Sequence, residues 1–276
     1  MARRGAAESV HAEQARRRPQ GGLVPLSGPS DLSVTSGDVK VTTHGGVVTV
    51  TIDRPAKRNA ITQAMYATMA DALAAADADT GIGAVVVTGV GDVFTAGNDL
   101  DDFASGGALD ESVRFLSAIS SVSVPLIAAV NGLAIGVGLT MLLHCDLVYV
   151  EPDAELSAPF VELALVPEAA SSLLLPRVIG ERHASDLLLA GRRIDGTEAA
   201  AWGLANAALT PALDAAVSAA QRLATMPPHA VRASKMLLRS DERTVSGRMA
   251  EEMRAFVEAL KGPEFAQVIA ERRRPR

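Results

Sequence analysis

Glu168 is the residue of this chain best placed for chemistry. It lies in the stretch Leu156-Ser157-Ala158-Pro159-Phe160-Val161-Glu162-Leu163-Ala164-Leu165-Val166-Pro167-Glu168-Ala169-Ala170-Ser171-Ser172, after a proline and just ahead of the apolar run Leu173-Leu174-Leu175. A carboxylate among apolar neighbours favours its neutral form more than one in water, because desolvation penalises the charge. A base poised nearer neutral pH suits proton transfer at carbon. The same Pro167-Glu168 pair also fits the first turn of a helix, with proline at the first position and an acid at the positive end of the dipole. Glu162, six residues earlier, is the rival carboxylate.

Two glycine-bearing turns follow buried strands, at Gly97-Asn98 and at Gly136-Val137-Gly138. Each leaves backbone N–H groups free at an expected helix start. Two such donors converging on one oxygen would form an oxyanion hole, where each donor is worth about 10²- to 10³-fold in rate. The alternative is that these glycines only permit tight strand-to-helix turns. Gly132-Leu133-Ala134-Ile135-Gly136 does not have the spacing of a dinucleotide fingerprint, and no ribose-binding acid follows at the required distance.

These residues need a frame, and the pattern of the chain supplies one. Residues 1–37 carry Arg3-Arg4, Arg16-Arg17-Arg18 and several Gly, Pro and Ser without a sustained apolar period, and read as a disordered tail. Val39 to Thr43 and Val47 to Asp53 alternate around Gly45-Gly46 and predict a hairpin. Thr62 caps a helix bearing Ile61, Met65, Met69 and Leu73 on its core side. Strands are expected at Ala84 to Thr88, Pro125 to Val130 and Asp146 to Val150, with a helix around Glu111 to Ser120. This alternation is that of an α/β fold. Helices are expected over 181–190, 196–202, 211–225, 229–239, 243–261 and 263–273. The division that follows is a tail over 1–37, a core over 38–225 and a C-terminal helical region over 226–276.

Composition narrows the function classes. A hydrophobic fraction of 48% in 276 residues supports a large core. A net charge of -6 and a pI near 5.4 give no basic field, so nucleic acid is not an expected partner. Cys145 is the one cysteine, which excludes an internal disulfide and a cysteine-rich metal site and fits a reducing, cytoplasmic setting. The apolar region from Val124 to Val150 is opened by Pro125 and interrupted by Asn131, Thr140, His144 and Asp146, so it is not expected to span a membrane. The amino terminus has arginines but no apolar signal segment.

Ile52-Asp53-Arg54-Pro55, Arg58-Asn59-Ala60, Ala96-Gly97-Asn98-Asp99-Leu100 and Ala128-Ala129-Val130-Asn131-Gly132-Leu133-Ala134 occur in this order. Pro159, Pro167, Ala190-Gly191, Thr197-Glu198-Ala199 and Gly203-Leu204 follow them. Together they resemble the crotonase, or enoyl-CoA hydratase/isomerase, superfamily from about residue 39 to the carboxyl end. The resemblance implies a spiral of strand-strand-helix turns, with C-terminal helices that pack a homotrimer or a dimer of trimers. It implies an acyl-CoA thioester as substrate and no cofactor, CoA being part of the substrate. The thioester oxygen would be held by the N–H groups of Asn98 and Val137, and the substrate would lie along Lys57, Arg58, Ala60, Ala96, Asp99, Leu100, Gly136 and Phe160. The positions of the two hydratase glutamates are filled here by Thr140 and Phe160. The run Ala158-Pro159-Phe160, Pro167-Glu168, Ser171-Ser172 instead looks like the peroxisomal-type 3-enoyl-CoA to 2-enoyl-CoA isomerases, whose single catalytic glutamate falls on Glu168. The resemblance thus implies an isomerase; a 2-enoyl-CoA hydratase, or a protein that binds acyl-CoA without turnover, are the alternatives.

Overall fold

The structure, a computed structural model, describes residues 32–104 and 110–239. It opens with three antiparallel strands, β1 (Leu32–Ser36), β2 (Val39–His44) and β3 (Val47–Ile52), joined by two-residue turns. The expected hairpin is β2–β3. The expected tail, however, gives up its last residues to β1. Its residues from Ser33 on are exposed, so this edge strand shows no apolar run in the sequence, and its backbone ladder to β2 is what seats it. The rest of that expected tail lies outside the described residues.

From β3 the chain crosses through α1 (Gln63–Ala78) to β4 (Ala84–Gly89) and the short β5 (Val93–Thr95). After α2 (Leu100–Ala104) and α3 (Asp110–Ser121) come β6 (Leu126–Val130), the short β7 (Leu133–Ile135) and α4 (Val137–Thr140), which runs into a 3₁₀ turn over Met141–His144. Then follow β8 (Leu147–Val150), the short β9 (Glu155–Ser157), α5 (Ser171–Ile179) and α6 (Glu181–Leu188). The series closes with β10 (Ile194–Asp195), α7 (Gly196–Ala201), β11 (Ala207–Ala208), α8 (Ala212–Ala224) and α9 (Pro228–Arg239).

One sheet has seven strands in the order β1-β2-β3-β4-β6-β8-β11, parallel from β3 onward; a second has the order β10-β9-β7-β5. Each of β4, β6 and β8 in the large sheet is followed at once by a short strand in the small one, so the chain repeats a strand-strand-helix turn as expected. The central strands are apolar throughout because both faces are covered. Val85, Val87, Leu126, Ala128 and Val130 face the main core, while Ala84, Val86, Ile127 and Ala129 pack with Ala216, Ala219 and Ala220 of α8.

The Thr62 cap is present, its Oγ1 accepting from the Met65 N–H at 3.3 Å, and Met65, Met69 and Leu73 are buried as the spacing predicts. The region from Val124 to Val150 folds as β6, β7, α4 and β8. No helix among the described residues is long and apolar enough to cross a membrane.

Helix α9 is fastened by three cations. Arg232 donates to the Asp77 carboxylate (3.0 Å), to Ser123 Oγ (2.9 Å) and to the carbonyls of Asp77, Asp79 and Ile82 at the end of α1. Lys235, buried, bonds Asp146 Oδ2 and the Val124 carbonyl, each at 2.8 Å. Arg239 pairs with Asp146 Oδ1 at 3.0 Å and donates to the His144 carbonyl. The expected helices 181–190, 196–202, 211–225 and 229–239 correspond to α6 through α9. Those expected over 243–261 and 263–273 lie outside the described residues.

Candidate active site

The parallel pairing of β5 with β7, with Thr95 opposite Ala134, brings the two glycine turns side by side at the carboxyl ends of these strands. Gly97 has φ 95°, and a Cβ there would lie 2.9 Å from the Ile135 carbonyl; one at Gly138 would lie 2.7 Å from Thr95 Cγ2. Only glycine lets the turns approach this closely. Ile61 donates to the Gly97 carbonyl and accepts from the Asp99 N–H, at 2.8 and 2.9 Å, which holds Asn98 between two fixed neighbours. Gly136 caps α4, and Val137 is its first residue. Neither the Asn98 N–H nor the Val137 N–H has an acceptor among the described residues, so both can serve a bound oxygen.

Glu168 lies on a loop, not in a helix. Helix α5 begins at Ser171 with Ala170 as its cap, so the first-turn reading of Pro167-Glu168 does not hold. The reason is local: Ala169 and Ala170 both take left-handed conformations, with φ of 53° and 54°, which keeps Glu168 out of the helical register.

The loop is held at successive atoms. Thr140 Oγ1 donates to Glu168 Oε1 at 2.9 Å, and Ser171 donates to the Glu168 carbonyl from its N–H (2.9 Å) and its hydroxyl (2.6 Å). His144 Nε2 lies 2.9 Å from the Ala169 carbonyl. Burial pushes the Glu168 carboxyl above its ordinary range, against the opposing pull of the Thr140 hydrogen bond. Tyr66, fully buried, is pushed well above the usual phenol value by that burial and by the charge of Glu168, which places the two groups within electrostatic reach. The Tyr66 hydroxyl donates to Asn98 Oδ1 at 2.5 Å. Glu168, Thr140, Tyr66 and Asn98 therefore form one cluster beside the free N–H groups.

Glu162 is elsewhere. It sits exposed on the 3₁₀ turn Val161–Leu163, and its Oε1 occupies the space beside Gly191, 2.3 Å from where a Cβ would be. Phe160 is buried in the main core.

The residues expected along CoA share one region. The Ala96 N–H donates to the Arg58 carbonyl at 3.0 Å, and Ala60 accepts from Arg54. Lys57 and Arg58 are exposed, Lys57 reaching Asp101 at 3.5 Å, and Leu100 is 57% exposed at the start of α2. The Asp99 carboxylate is engaged within the fold: Arg54 bonds it at 2.5 Å and lowers its pKa, and it also accepts the N–H groups of Asp101 and Asp102. Tyr66, His144 and the side chain of Asn59 escaped the reading of candidates from sequence. Asn59, fully buried, ties the 54–60 loop to the carbonyls of Val90 and Val93 at 3.1 and 2.6 Å. A tyrosine inside the otherwise aliphatic stripe of α1 is the signal that could have exposed the first of these.

The family model described as Enoyl-CoA hydratase/isomerase matches residues 42–271. Enoyl-CoA delta isomerase 2 of Rattus norvegicus is 36% identical over 220 residues, a match covering 75% of this chain and 56% of that protein, so the chain spans little more than half its length. The peroxisomal enoyl-CoA delta isomerase 3 of Mus musculus is 32% identical over 258 residues, covering 88% of this chain and 80% of that one. Among solved structures, an enoyl-CoA hydratase/isomerase from Pseudoalteromonas atlantica T6c is 43% identical with a TM-score of 0.73, covering 87% of this chain and 99% of that chain. With the spiral of paired strands and the glycine turns already in place, the chain belongs to the enoyl-CoA hydratase/isomerase, or crotonase, family.

Proposed function

We propose that this protein moves the double bond of a 3-enoyl-CoA into conjugation, giving the 2-enoyl-CoA, with Glu168 as the single proton carrier. The observation that carries the reading is that carboxylate itself: half-buried, raised in pKa, and bonded by one hydroxyl beside two free N–H donors. Proton loss from C2 of the acyl chain places negative charge on the thioester oxygen. The N–H groups of Asn98 and Val137 would stabilise that enolate without reorganising. Glu168, now neutral, returns its proton to C4, and no water is consumed.

Two-carboxylate hydration is disfavoured by the residues at the corresponding places. Thr140 spends its hydroxyl on Glu168, Phe160 is in the core, and Glu162 lies against Gly191. Lys57 and Arg58, exposed together on one loop, suit the phosphates of CoA. The same reading takes the protein to be a homotrimer or a dimer of trimers, which sedimentation would measure.

Paired assays of the purified protein and its Glu168→Gln variant test the reaction. The expected result is isomerisation that falls by about 10²- to 10⁴-fold in the variant, with little hydration of a 2-enoyl-CoA by either form. Strong hydration retained by the variant would reassign the protein among the hydratases.

A further inference from the structure

We propose that His144 is a positioning residue for Glu168, holding the loop that carries the carboxylate through the hydrogen bond to the Ala169 carbonyl. The proposal rests on Glu168 being the base. Thr140 and His144 are four residues apart along α4 and its 3₁₀ extension, and they reach the same loop at two points. Thr140 holds the carboxylate, at 2.9 Å, and His144 holds the next residue's carbonyl, also at 2.9 Å. That carbonyl has no other hydrogen bond among the described residues.

The loop needs such a hold. Two consecutive left-handed alanines cost about 1–2 kcal/mol each, and a conformation of this kind persists only where its surroundings enforce it. Ser171 restrains the Glu168 carbonyl on one side. On the other side His144 is the restraint, and it is itself fixed: its ring is buried, and its own carbonyl accepts from Arg239 of α9. Burial, and then the nearby Arg239 charge, outweigh the Ala169 bond and keep its pKa below the ordinary imidazole value, so near neutrality it is uncharged and bonds Ala169 by donating Nε2–H. Losing the bond would leave the carboxylate attached to Thr140 while the backbone beneath it relaxes. A displacement of about 1 Å in a reacting group costs on the order of 10²-fold in rate.

The test compares His144→Leu, His144→Gln, Glu168→Gln and the Glu168→Gln/His144→Leu double variant of the full chain, with a 3-enoyl-CoA as substrate. His144→Leu is expected to lower kcat about 10- to 100-fold with KM within about twofold. His144→Gln, whose amide can donate to Ala169, should recover most of kcat. In the Leu variant the acidic limb of the kcat profile should move to lower pH as water reaches the carboxylate, and amide exchange should speed up in residues 164–171. The double variant should be no slower than Glu168→Gln alone, because both changes act on one step. If Leu does not give folded protein, His144→Met supplies a side chain of similar size without a donor.

An unchanged kcat in the Leu variant would overturn the proposal. So would equal losses in the Leu and Gln variants with an unmoved acidic limb, which would leave His144 as packing only. Full activity in Glu168→Gln would instead refute the assignment of the base, and the role of His144 with it.

Discussion

Glu168, the proposed base, lies in a place that resists its charge. Its folded-state pKa is raised, so the stabilisation it gives is complete below the unfolded value and is lost as pH rises through the folded one. At neutral pH the ionised side chain therefore costs stability. Glu168→Gln should melt a few degrees higher than the parent at pH 7, and the difference should vanish at about pH 4, a sign that thermal scans at the two pH values would check. Thr140 opposes burial by bonding the charged form. Thr140→Val should drive the acidic limb of the pH–rate profile upward and cost about tenfold in kcat/KM at pH 6. The two changes thus separate removal of the proposed base from its tuning. Glu168 was visible in the sequence as a charge among apolar residues, and Thr140 as a hydroxyl in a glutamate position; that one bonds the other was not, because the contact joins a helix to a loop 28 residues away.

At the scale of elements, legibility followed apolar periodicity. The β2–β3 hairpin, α1 with its Thr62 cap, and the strands β4, β6 and β8 announce themselves through alternation, four-residue spacing or an unbroken apolar run. The small sheet does not. Its strands, β5, β7, β9 and β10, are two or three residues long, and β5 and β7 sit inside glycine-rich stretches that read equally well as turns. They matter most for the site, since the β5–β7 pairing is what sets Asn98 beside Val137. Helix α9 was legible as a helix but not as a clamp: Arg232, Lys235 and Arg239 could equally form a solvated face, yet Lys235 is buried, Arg232 and Arg239 are half-buried, and all three are ion-paired. Lys235→Met leaves the Asp146 carboxylate with one cation fewer and is expected to destabilise the fold by about 1–3 kcal/mol in urea titration.

For the whole molecule, the acidic side chains that bind α9 and the 54–60 loop set its behaviour in acid. The pKa of Asp77 is lowered even though burial alone would raise it, because the N–H and hydroxyl donors at Ser123 and Val124, together with the Arg232 charge, outweigh that burial; Asp99 is lowered chiefly by Arg54. A depressed folded pKa gives stability that is present above the unfolded value and lost as pH falls toward the folded one. Unfolding should therefore ease steeply below about pH 4, and Asp77→Asn should flatten that dependence, read from urea midpoints across the acid range.

The Arg232 bonds to the end of α1 join residues 155 positions apart, and Arg239 reaches back 95 to His144. During synthesis every strand of the two sheets described has left the ribosome once Ala208 is out, while the cations that close around Asp77, Asp146 and the histidine under the Glu168 loop are still inside the exit tunnel. The strands of the scaffold thus emerge before the side chains that clamp α9, and a chain released before Pro228 would lack the Arg239 bond that helps fix His144 beneath the loop of Glu168, the proposed base.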